Sequence, residues 1–516
     1  MIDTKALRQK ILDMAIRGKL VPQNPNDEPA SVLLERIRAE KQQLIKEGKI
    51  KKDKNDSVIF KGDDNRYYEK VGSEVKDITD DLPFEIPDSW VWTRFSTLIQ
   101  IISGVSYDKK DVATKGIRIL RGGNINDLKV SLFSDDVFLP ETYYDPDKQI
   151  QIDDVLIVAS TGSKEVIGKA GYVIEPLVNT QIGAFLRIVR PILKWYAPYV
   201  KLIFATEYYR EHIRHLSGGT NINNIKADYI NALIISLPPY AEQIRIAERI
   251  NSLFEQINII EQSQTDTDTL YKEFIKRTLT LAIQGKLVPQ DPNDEPANVL
   301  LERIRAEKKA KLGKKYVDSY IYKSDDNCYY EKVKDSIKEI TDEIPFEIPE
   351  GWRWIRIDSL FQHNTGKALN SSNSQGALHP YITTSNVYWG CFNLERIKEM
   401  PFTKDELAKC SVIHGDLLVC EGGDVGRAAI WEKDIPMCIQ NHIHRLRAYY
   451  PVCTTFYYFA FFVYKSIGLI GGKGIGIQGL SSGALGKLIF PLPPLAEQKR
   501  IVKQVAIILE KLKDEG

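Results

Sequence analysis

The chain contains one stretch of sequence twice, and this repetition constrains its fold more than any other feature. Residues 15–41 read AIRGKLVPQNPNDEPASVLLERIRAEK and residues 282–308 read AIQGKLVPQDPNDEPANVLLERIRAEK, with three differences. The string ITDDLPFEIPDSW at residues 78–90 returns as ITDEIPFEIPEGW at residues 340–352. The offset of about 260 residues is far longer than the period of a solenoid repeat. The repetition therefore predicts two similar halves related by approximate two-fold symmetry.

A further repeated string, LPPYAEQ at residues 237–243 and LPPLAEQ at residues 492–498, follows a variable segment in each half. These variable segments, about 91–236 and 353–491, have similar lengths but share little sequence. We interpret the repeated strings as a common scaffold. The variable segments are then expected to be two domains of one fold that carry different surfaces.

Apolar or neutral residues after Pro239 recur at alternating spacings of four and three, from Ile246 to Leu281. This is the a/d pattern of a heptad coiled coil, and a helix of about 40 residues would be roughly 60 Å long. Residues 501–512 repeat the first part of the pattern, and residues 7–14 repeat its second part. We therefore expect the two chain ends to meet and to pack antiparallel along the central helix, in a circular organisation.

Composition narrows the class of protein. The net charge of +1 does not indicate a uniformly basic polyanion binder. Charge is uneven, however. Residues 127–154 contain eight acidic residues and two lysines, whereas residues 155–226 carry a net charge of about +5, which indicates a basic face in the first variable domain. The six cysteines include no CxxC pair, which favours reduced thiols in a cytoplasmic protein over disulfides or a zinc site. No signal peptide and no membrane-spanning run is expected.

The repeated strings together resemble the specificity (S) subunit of type I restriction-modification systems. The features that carry this resemblance are two halves, near-identical helical spacers, LPPxAEQ at the start of each spacer, GKLVPQ at its end, and PFEIPxxW before each variable domain. The resemblance covers essentially the whole chain. One departure is that the N-terminus supplies much of the coiled coil, so the C-terminal spacer is short.

This resemblance implies a non-catalytic subunit with two target-recognition domains, each of which reads one half of a bipartite site in double-stranded DNA. It also implies that the helices bind two DNA adenine methyltransferase subunits, to which restriction subunits attach, and that no membrane is involved. Two unlike domains on a symmetric scaffold predict an asymmetric split site, whereas identical domains would predict a palindrome.

The predicted fold class is α+β, with two globular α/β target-recognition domains separated by long antiparallel coiled-coil helices in a circular pseudo-two-fold organisation. Two charged stretches that are poor in apolar residues are interpreted as linkers. The predicted segments, in order, are a helical spacer at 1–45, a charged linker at 46–83, target-recognition domain 1 at 84–236, the central helix and turn at 237–308, a linker at 309–345, target-recognition domain 2 at 346–491 and a spacer helix at 492–516.

Catalytic motifs are incomplete. An adenine methyltransferase needs an Asn/Asp-Pro-Pro-Tyr loop, but Leu237 occupies its first position and cannot hydrogen-bond the target amino group. The GxGxxG match at residues 474–479 lacks the strand–helix context of a nucleotide site. His442 and His444 are interpreted as part of a strand rather than as metal ligands. We therefore expect no catalytic residue, no metal and no cofactor.

Two other functions fit the residues less well, because a self-contained methyltransferase or nuclease lacks its motifs and a protein-only adaptor leaves the divergent, basic-faced domains unexplained. A self-contained methyltransferase or nuclease would transfer methyl groups or cleave DNA as the isolated chain. A coiled-coil adaptor that binds only protein would not shift DNA in a gel when its partner subunits are present.

Base recognition requires Arg, Lys, Asn, Gln, Ser or Thr side chains on exposed loops. We expect the Lys and Arg residues to bind mostly phosphates, and the Asn and Gln residues to carry more of the sequence information. In the first domain the predicted DNA-contacting residues are Lys109, Lys110, Arg121, Asn124, Lys164, Lys169, Gln181, Thr220, Asn221 and Asn223. In the second domain they are Lys367, Asn370, Thr384, Asn386, Arg427, Gln440, Asn441, Lys473 and Gln478.

Overall fold

The chain divides into two compact units, Met1–Thr265 (unit 1) and Asp266–Gly516 (unit 2). Both units contain helices and strands, which confirms the predicted α+β class. None of the helices in the described ranges is long and apolar enough to cross a membrane. The computed structural model describes residues 2–50, 56–126, 128–163, 165–216, 223–368, 374–471 and 480–514.

Unit 1 combines N-terminal helices, a variable α/β domain and the first part of one long helix. Its helices are α1 (Thr4–Ile16), α2 (Ala30–Lys46), α3 (Ala197–Ala205), α4 (Glu207–Leu216), α5 (Ala227–Asn231) and α6 (Tyr240–Ile283), which continues into unit 2. Its strands are β1 (Ser57–Lys61), β2 (Tyr67–Val71), β3 (Glu74–Asp77), β4 (Val91–Arg94), β5 (Ile99–Ser103), β6 (Ile117–Leu120), β7 (Ile125–Asn126), β8 (Leu128–Val130), β9 (Val137–Leu139), β10 (Val155–Val158), β11 (Ser160–Thr161), β12 (Ala170–Tyr172), β13 (Thr180–Ile182), β14 (Leu186–Pro191), β15 (Asn223–Asn224) and β16 (Ile234–Leu237).

Unit 2 follows a similar order of elements. Its further helices are α7 (Ala297–Leu312), α8 (Ile357–Leu360), α9 (Lys404–Cys410), α10 (Thr454–Ser466), α11 (Ser482–Lys487) and α12 (Leu495–Asp514). Its strands are β17 (Ser319–Lys323), β18 (Tyr329–Val333), β19 (Ser336–Glu339), β20 (Arg353–Arg356), β21 (Phe361–Thr365), β22 (Ala377–Ile382), β23 (Val387–Tyr388), β24 (Cys391–Phe392), β25 (Lys398–Phe402), β26 (Leu417–Cys420), β27 (Ala428–Ile430), β28 (Cys438–Ile439), β29 (Ile443–Ala448) and β30 (Ile489–Leu492).

The two variable domains share the order of the first four strands of the main sheet and the order of a second sheet, although their sequences differ; in unit 1 two more strands extend the main sheet. The main sheet has the order β5-β14-β10-β12-β8-β7 in unit 1 and β21-β29-β26-β27 in unit 2. A second sheet has the order β13-β6-β9 in unit 1 and β28-β22-β25 in unit 2. In both second sheets the central strand is parallel to one neighbour and antiparallel to the other. The prediction of one fold with two different surfaces is therefore confirmed at the level of topology.

Helix α1 packs antiparallel on the first part of α6 in unit 1. Arg8 donates hydrogen bonds to Asn258 Oδ1 at 2.7 Å and to Glu261 Oε2 at 3.1 Å. Gln264 Nε2 donates to the carbonyl oxygen of Ile2 at 3.4 Å. Because the residue numbers fall along α1 as they rise along α6, the two helices run in opposite directions, as the sequence pattern predicts for this pair.

In unit 2, the C-terminal helix α12 packs against the second part of α6. Leu512 lines a shared surface groove with Leu270 and Phe274. Ile501 and Val505 lie in the same core cluster as Leu279 of α6. The apolar residues of α12 therefore meet the part of α6 that lies in their own unit.

The buried face of these helices is wider than the predicted heptad seam. Helix α1 buries two pairs of adjacent residues rather than single seam positions, and α6 buries the equivalent residues of the repeat, whereas Phe274 of the predicted seam is 47% exposed. This face is wider because the helix ends also pack against the core of the domain. The buried residues are Ile11, Leu12, Ala15 and Ile16 in α1, and Thr278, Leu279, Ala282 and Ile283 in α6.

The repeated strings meet at one junction in each unit. In unit 1 the buried Glu242 of LPPYAEQ accepts hydrogen bonds from Trp90 Nε1 at 2.9 Å and from Gln23 Nε2 at 2.6 Å. Burial raises the pKa of the Glu242 carboxyl, although both hydrogen bonds favour its charged form. In unit 2 the equivalent Glu497 accepts the same two bonds, from Trp352 Nε1 at 2.9 Å and from Gln290 Nε2 at 2.6 Å.

A glycine completes this junction. Gly18 has φ +68°, a backbone conformation that residues other than glycine rarely adopt. A Cβ at this position would lie 2.5 Å from Pro87 Cγ and 3.2 Å from the Trp90 ring. The corresponding Gly285 has φ +69° and its Cβ would lie 2.4 Å from Pro349 Cγ. The Gly of GKLVPQ and the Pro and Trp of PFEIPxxW therefore recur together because they are in contact.

The predicted linkers at 46–83 and 309–345 are wrong for most of their length. The strands β1, β2 and β3 form an antiparallel sheet, and β17, β18 and β19 form its counterpart in unit 2. In β1 the side chain of Ile59 is buried against Ile78, Trp92 and Ile234. The burial of Ile59 gives this sheet an apolar contact with the domain, in a segment that is otherwise rich in charged and exposed residues.

Candidate DNA interface

In unit 1, the strands β6, β10 and β13 end at one edge of the variable domain. The N–H of Gly183, just after β13, donates to the carbonyl oxygen of Leu120 in β6 at 2.9 Å. The N–H of Ala159, just after β10, donates to the carbonyl oxygen of Phe185 at 2.8 Å. We call the segments at this edge the loop edge of unit 1; they are residues 121–123, 160–161 and 183–185.

Unit 2 has a corresponding edge, held by matching hydrogen bonds. The N–H of Gln440 donates to the carbonyl oxygen of Ile382 at 3.0 Å, and the N–H of Glu421 donates to that of His442 at 2.9 Å. Residues 440–442 of unit 2 therefore correspond to residues 183–185 of unit 1. The loop edge of unit 2 consists of residues 383–385, 421–423 and 440–442.

A close backbone crossing supports each loop edge and requires glycine. A Cβ on Gly104 would lie 2.1 Å from the carbonyl oxygen of Gly183. A Cβ on Gly366 would lie 2.0 Å from the carbonyl oxygen of Ile439. Because these contacts involve backbone atoms, no side-chain movement can relieve them, and the glycines fix the geometry of the edge.

Two of the asparagines predicted to read bases are buried and hold turns instead. Asn124 Oδ1 accepts from the Arg121 N–H at 2.7 Å, while its Nδ2 donates to the carbonyl oxygen of Ser131 at 2.9 Å and to Asp136 Oδ1 at 2.7 Å. Asn386 holds the equivalent turn, with bonds to Thr383 N, Asn393 O and Arg396 O. Since their side-chain amides are occupied within the protein, we correct both assignments to structural roles.

Gln181 and Lys367 are also buried rather than presented to solvent. Gln181 Nε2 donates to the carbonyl oxygen of Asp145 at 2.7 Å. Lys367 Nζ donates to the carbonyl oxygen of Pro401 at 2.7 Å and to Glu406 Oε2 at 2.8 Å. The hydrogen bond from Lys367 lowers the pKa of Glu406 to about 2. Both predicted contacts are therefore corrected, because a buried, paired side chain cannot reach a DNA phosphate or base in this conformation.

Four predicted residues of unit 2 do come together at its loop edge. Arg427 Nη2 donates to the carbonyl oxygen of Thr384 at 2.6 Å, and its guanidinium lies 5.5 Å from the ring centroid of Tyr388. Gln440 and Asn441 follow β28 directly and are half-buried, like Thr384 and Arg427. This edge therefore combines amide, hydroxyl and guanidinium groups that can donate and accept hydrogen bonds at base edges.

In unit 1, Arg121 is exposed on the loop edge. Lys169 is half-buried beside it, since its carbonyl oxygen accepts from the N–H of Val158 at 2.9 Å. Lys109 and Lys110 are exposed in the short helical turn Lys109–Asp111. These four cations reach solvent, and the phosphate contacts expected of them remain predictions.

Part of the charge expected to form a basic face over residues 155–226 is neutralised. Two of its cations pair with the neighbouring acidic segment and one pairs with Glu207, whereas Arg187 and Arg210 donate to backbone carbonyl oxygens and keep their charge. The pairs are Arg190 with Asp154 at 2.8 Å, Lys201 with Asp153 at 2.6 Å, Arg214 with Glu207, Arg187 with the carbonyl oxygen of Ala184 at 2.8 Å, and Arg210 with that of Ile167 at 2.8 Å.

Several predicted residues cannot be placed. The backbone of Asn223 pairs with Thr161 in the β11–β15 sheet, which brings it to the loop edge of unit 1. The other predicted residues in this group lie outside the described residues; they are Lys164, Thr220, Asn221, Asn370, Lys473 and Gln478.

Two exposed aromatic side chains at the loop edges, Phe185 and His442, are absent from the predicted DNA-contacting set. Phe185 is 68% exposed, and the side chain of His442, at the corresponding position of unit 2, is 57% exposed. The only sequence signal for Phe185 is a lone aromatic residue that follows Gly183-Ala184, between two apolar strands. A search restricted to polar residue types does not find it.

The second histidine of the His442-x-His444 string is buried and structural. His444 Nδ1 lies 2.8 Å from His363 Nε2, and His444 Nε2 lies 2.6 Å from the carbonyl oxygen of Leu480. Burial, with His444 nearby, lowers the pKa of His363 to about 4, so this ring stays neutral near neutral pH. No group of three His, Cys, Asp or Glu residues suited to a metal ion occurs in the described part of the chain. The six cysteines are free thiols.

These observations define a class of protein. The chain has two units of similar scaffold, and each unit has a loop edge with its own set of side chains suited to DNA recognition. A family model described as the type I restriction modification DNA specificity domain matches residues 87–266 and 349–514. These two matches coincide with the two variable domains and the spacer helices that follow them.

Relatives agree with the family model. The type I restriction enzyme EcoAI specificity subunit of Escherichia coli is 28% identical over 567 residues, which cover 98% of this chain and 89% of that protein. The EcoEI specificity subunit, also of Escherichia coli, is 28% identical over 485 residues, covering 83% of this chain and 74% of that protein. A chain solved in a study of assembly and conformational transition of the type I R-M system covers 84% of this chain and 93% of its own length, with a TM-score of 0.53 and 16% identity, which supports the fold.

The chain belongs to the type I restriction-modification DNA specificity family. It is a sequence-specific DNA-recognition subunit and not itself an enzyme. Specificity subunits of this family act together with methyltransferase and restriction subunits.

Proposed function

We propose that each unit reads one half of an asymmetric, bipartite site in double-stranded DNA through its loop edge. One observation carries this proposal: corresponding backbone positions present different chemistry. Residues 183–185 of unit 1 are Gly-Ala-Phe, whereas residues 440–442 of unit 2 are Gln-Asn-His. Since equivalent strands support these positions in both units, their side chains distinguish the two edges there, and two unlike half-sites follow.

In unit 2, Gln440, Asn441 and Thr384 are the proposed base-reading groups, and Arg427 is proposed to bind a phosphate or a guanine. Glutamine and asparagine amides can form paired hydrogen bonds with adenine, and a guanidinium can do so with guanine. In unit 1, phosphate binding is proposed for Lys109, Lys110, Arg121 and Lys169. The predicted residues outside the described ranges remain part of this proposal, as does the side chain of Asn223.

The helices are proposed to bind two methyltransferase subunits, one for each half of the repeat, and restriction subunits would attach through them in the cytoplasm. The near-identity of the helical strings supports this stoichiometry, because two equal docking surfaces suit two copies of one partner. Helix α6 carries exposed apolar residues for such contacts, including Ile259 in unit 1 and Leu270 in unit 2.

The test uses the full chain with its methyltransferase subunits and maps methylated adenines in DNA treated with the complex. The wild-type complex should yield two different half-sites with a fixed gap. Gln440→Ala should relax the preference at one base pair of one half-site by about 10- to 100-fold, the usual worth of a paired contact. Lys169→Ala should weaken binding to all sequences and reduce the salt dependence by about one phosphate.

Gln362→Ala is the matched control, because Gln362 is a half-buried glutamine of the same unit at the other end of β21 from the crossing glycine. It should leave both half-sites unchanged. A palindromic site, or a Gln440→Ala complex with wild-type base preferences, would contradict the proposal.

A further inference from the structure

The loop edge of unit 1 presents one large apolar side chain, Phe185. Its carbonyl oxygen accepts hydrogen bonds from the N–H groups of Ala159 at 2.8 Å and Ser160 at 3.1 Å. The N–H of Leu186 donates to the carbonyl oxygen of Gly183 at 2.9 Å. The backbone is therefore fixed on both sides of Phe185, and the ring projects from a rigid position into solvent.

A single exposed apolar residue is common on protein surfaces and needs no explanation by itself. Two observations set Phe185 apart. It lies on the same edge as Arg121, a candidate phosphate contact. The corresponding residue of unit 2, His442, is also an exposed aromatic ring, but it carries hydrogen-bonding nitrogens and lies 3.7 Å from Glu421 Oε2. The same position thus presents an apolar ring in one unit and a polar ring in the other.

The chemistry of DNA limits what an apolar ring at this position can recognise. In the major groove the base edges carry hydrogen-bond donors and acceptors, and the apolar exception is the 5-methyl group of thymine. A phenyl ring against a donor or acceptor would remove water from that group without replacing its hydrogen bond. A phenyl ring against the methyl group removes apolar surface from water on both sides.

We propose that Phe185 is a specificity-determining residue that recognises a thymine of the unit 1 half-site through its 5-methyl group. This inference rests on the proposed function, because it requires the loop edge of unit 1 to face the major groove. His442 at the corresponding position would instead form hydrogen bonds with a base edge, so the two half-sites differ in the kind of contact as well as in sequence.

The experiment replaces thymine by deoxyuridine, which lacks only the methyl group. Duplexes carry the site obtained by methylation mapping, with each dT replaced singly by dU, and binding of the full complex is measured by fluorescence anisotropy. For the wild type, one dU position should weaken binding about four-fold, as expected for one buried methyl group. Phe185→Ala should bind the dT and dU duplexes equally, whereas Phe185→Leu should keep part of the difference.

Ile174→Ala is the matched control. Ile174 is 72% exposed in the same domain and follows β12, whose Tyr172 pairs with Val155 at the start of β10, opposite the loop edge. This variant should show the wild-type ratio of affinities for dT and dU. Thermal unfolding of all variants identifies any general loss of folding, and Phe185→Leu keeps the test valid if Phe185→Ala is unstable.

The outcomes separate this inference from the proposed function. If the wild-type complex distinguishes its site from scrambled DNA but no dU position weakens binding, the ring does not read a methyl group; a wedge between base pairs would give this result. If Phe185→Ala retains the difference between dT and dU, another residue makes the contact. If the complex does not distinguish its site from scrambled DNA at all, the proposed function itself fails.

Discussion

Replacing Gly18 by alanine should destabilise unit 1 much more than replacing Gly48. Both glycines follow a helix and have nearly the same positive φ, +68° and +72°. They differ in their surroundings, since a Cβ at Gly18 would lie 2.5 Å from Pro87 Cγ whereas a Cβ at Gly48 would meet nothing within 4 Å. The pair therefore separates the effect of backbone conformation from the effect of packing at the junction.

The expected magnitudes follow from these two terms. Alanine in a left-handed conformation costs roughly 1–2 kcal/mol, and this is the whole expected loss for Gly48→Ala. Overpacking a well-packed site adds roughly 1–3 kcal/mol, so Gly18→Ala should lose about 2–5 kcal/mol. The difference between the variants is the packing contribution of the Gly–Pro–Trp contact.

The assay is urea unfolding followed by tryptophan fluorescence, to which Trp90 contributes beside Gly18. Because a chain with two units need not unfold in one step, hydrogen exchange of peptides that contain residues 84–94 assigns the transition to unit 1. Equal losses for the two variants would refute the packing argument. Unit 2 offers a second copy of the packed site, since Gly285 has φ +69° and a Cβ there would lie 2.4 Å from Pro349 Cγ, so Gly285→Ala should also lose more stability than Gly48→Ala.

Two further predictions concern side chains that the structure assigns to structural roles. Asn124→Ala should lower the free energy of unfolding by about 1–3 kcal/mol in the same urea assay, because it leaves the Arg121 N–H without its buried acceptor. The control is Asn126→Ala, at an exposed asparagine, which should have a much smaller effect. Lys367→Met should reduce the acid sensitivity of unit 2. The pKa of Glu406 is lowered from 4.5 to about 2, so the stabilisation is fully present above pH 4.5 and is lost as the pH falls towards 2. Urea midpoints across this range should therefore fall more steeply in the wild type than in Lys367→Met, and equal slopes would contradict the assignment.

The repeated strings made the two halves and their scaffold role predictable, but not the contacts that cause the repetition. Gly18, Trp90 and Glu242 are far apart in the sequence, and nothing local indicates that they touch. The structure brings them together at the junction of each unit. The sequence repeat therefore identifies which residues recur in both halves. The reason that they recur, their mutual contact, is visible only in the structure.

The errors in the sequence analysis have physical causes. Charged residues dominate the segment around Ile59, so its short strand has too little periodicity to be distinguished from a linker. An asparagine in a turn, such as Asn124, can read a base, but its amide can equally bind the backbone of its own turn. A lysine such as Lys367 suits a phosphate by its charge, but burial against Glu406 removes that charge from the surface. Whether such a side chain contacts DNA or supports the protein depends on its burial, and burial is set by the three-dimensional fold.

The loop edges and the junctions use different kinds of bond, and this difference explains how one scaffold can carry two specificities. The bonds that join the segments of each loop edge, such as Gly183 N to Leu120 O and Gln440 N to Ile382 O, involve backbone atoms, while the buried amides of Asn124 and Asn386 hold the turns beside them. The exposed side chains there are therefore free to differ, and substitutions of them should change stability by no more than about 0.5 kcal/mol. The junctions use side-chain atoms, such as the carboxylate of Glu242, so their residues must recur in both units. A chain built in this way can change what it binds at one half-site without disturbing the fold or the other half-site.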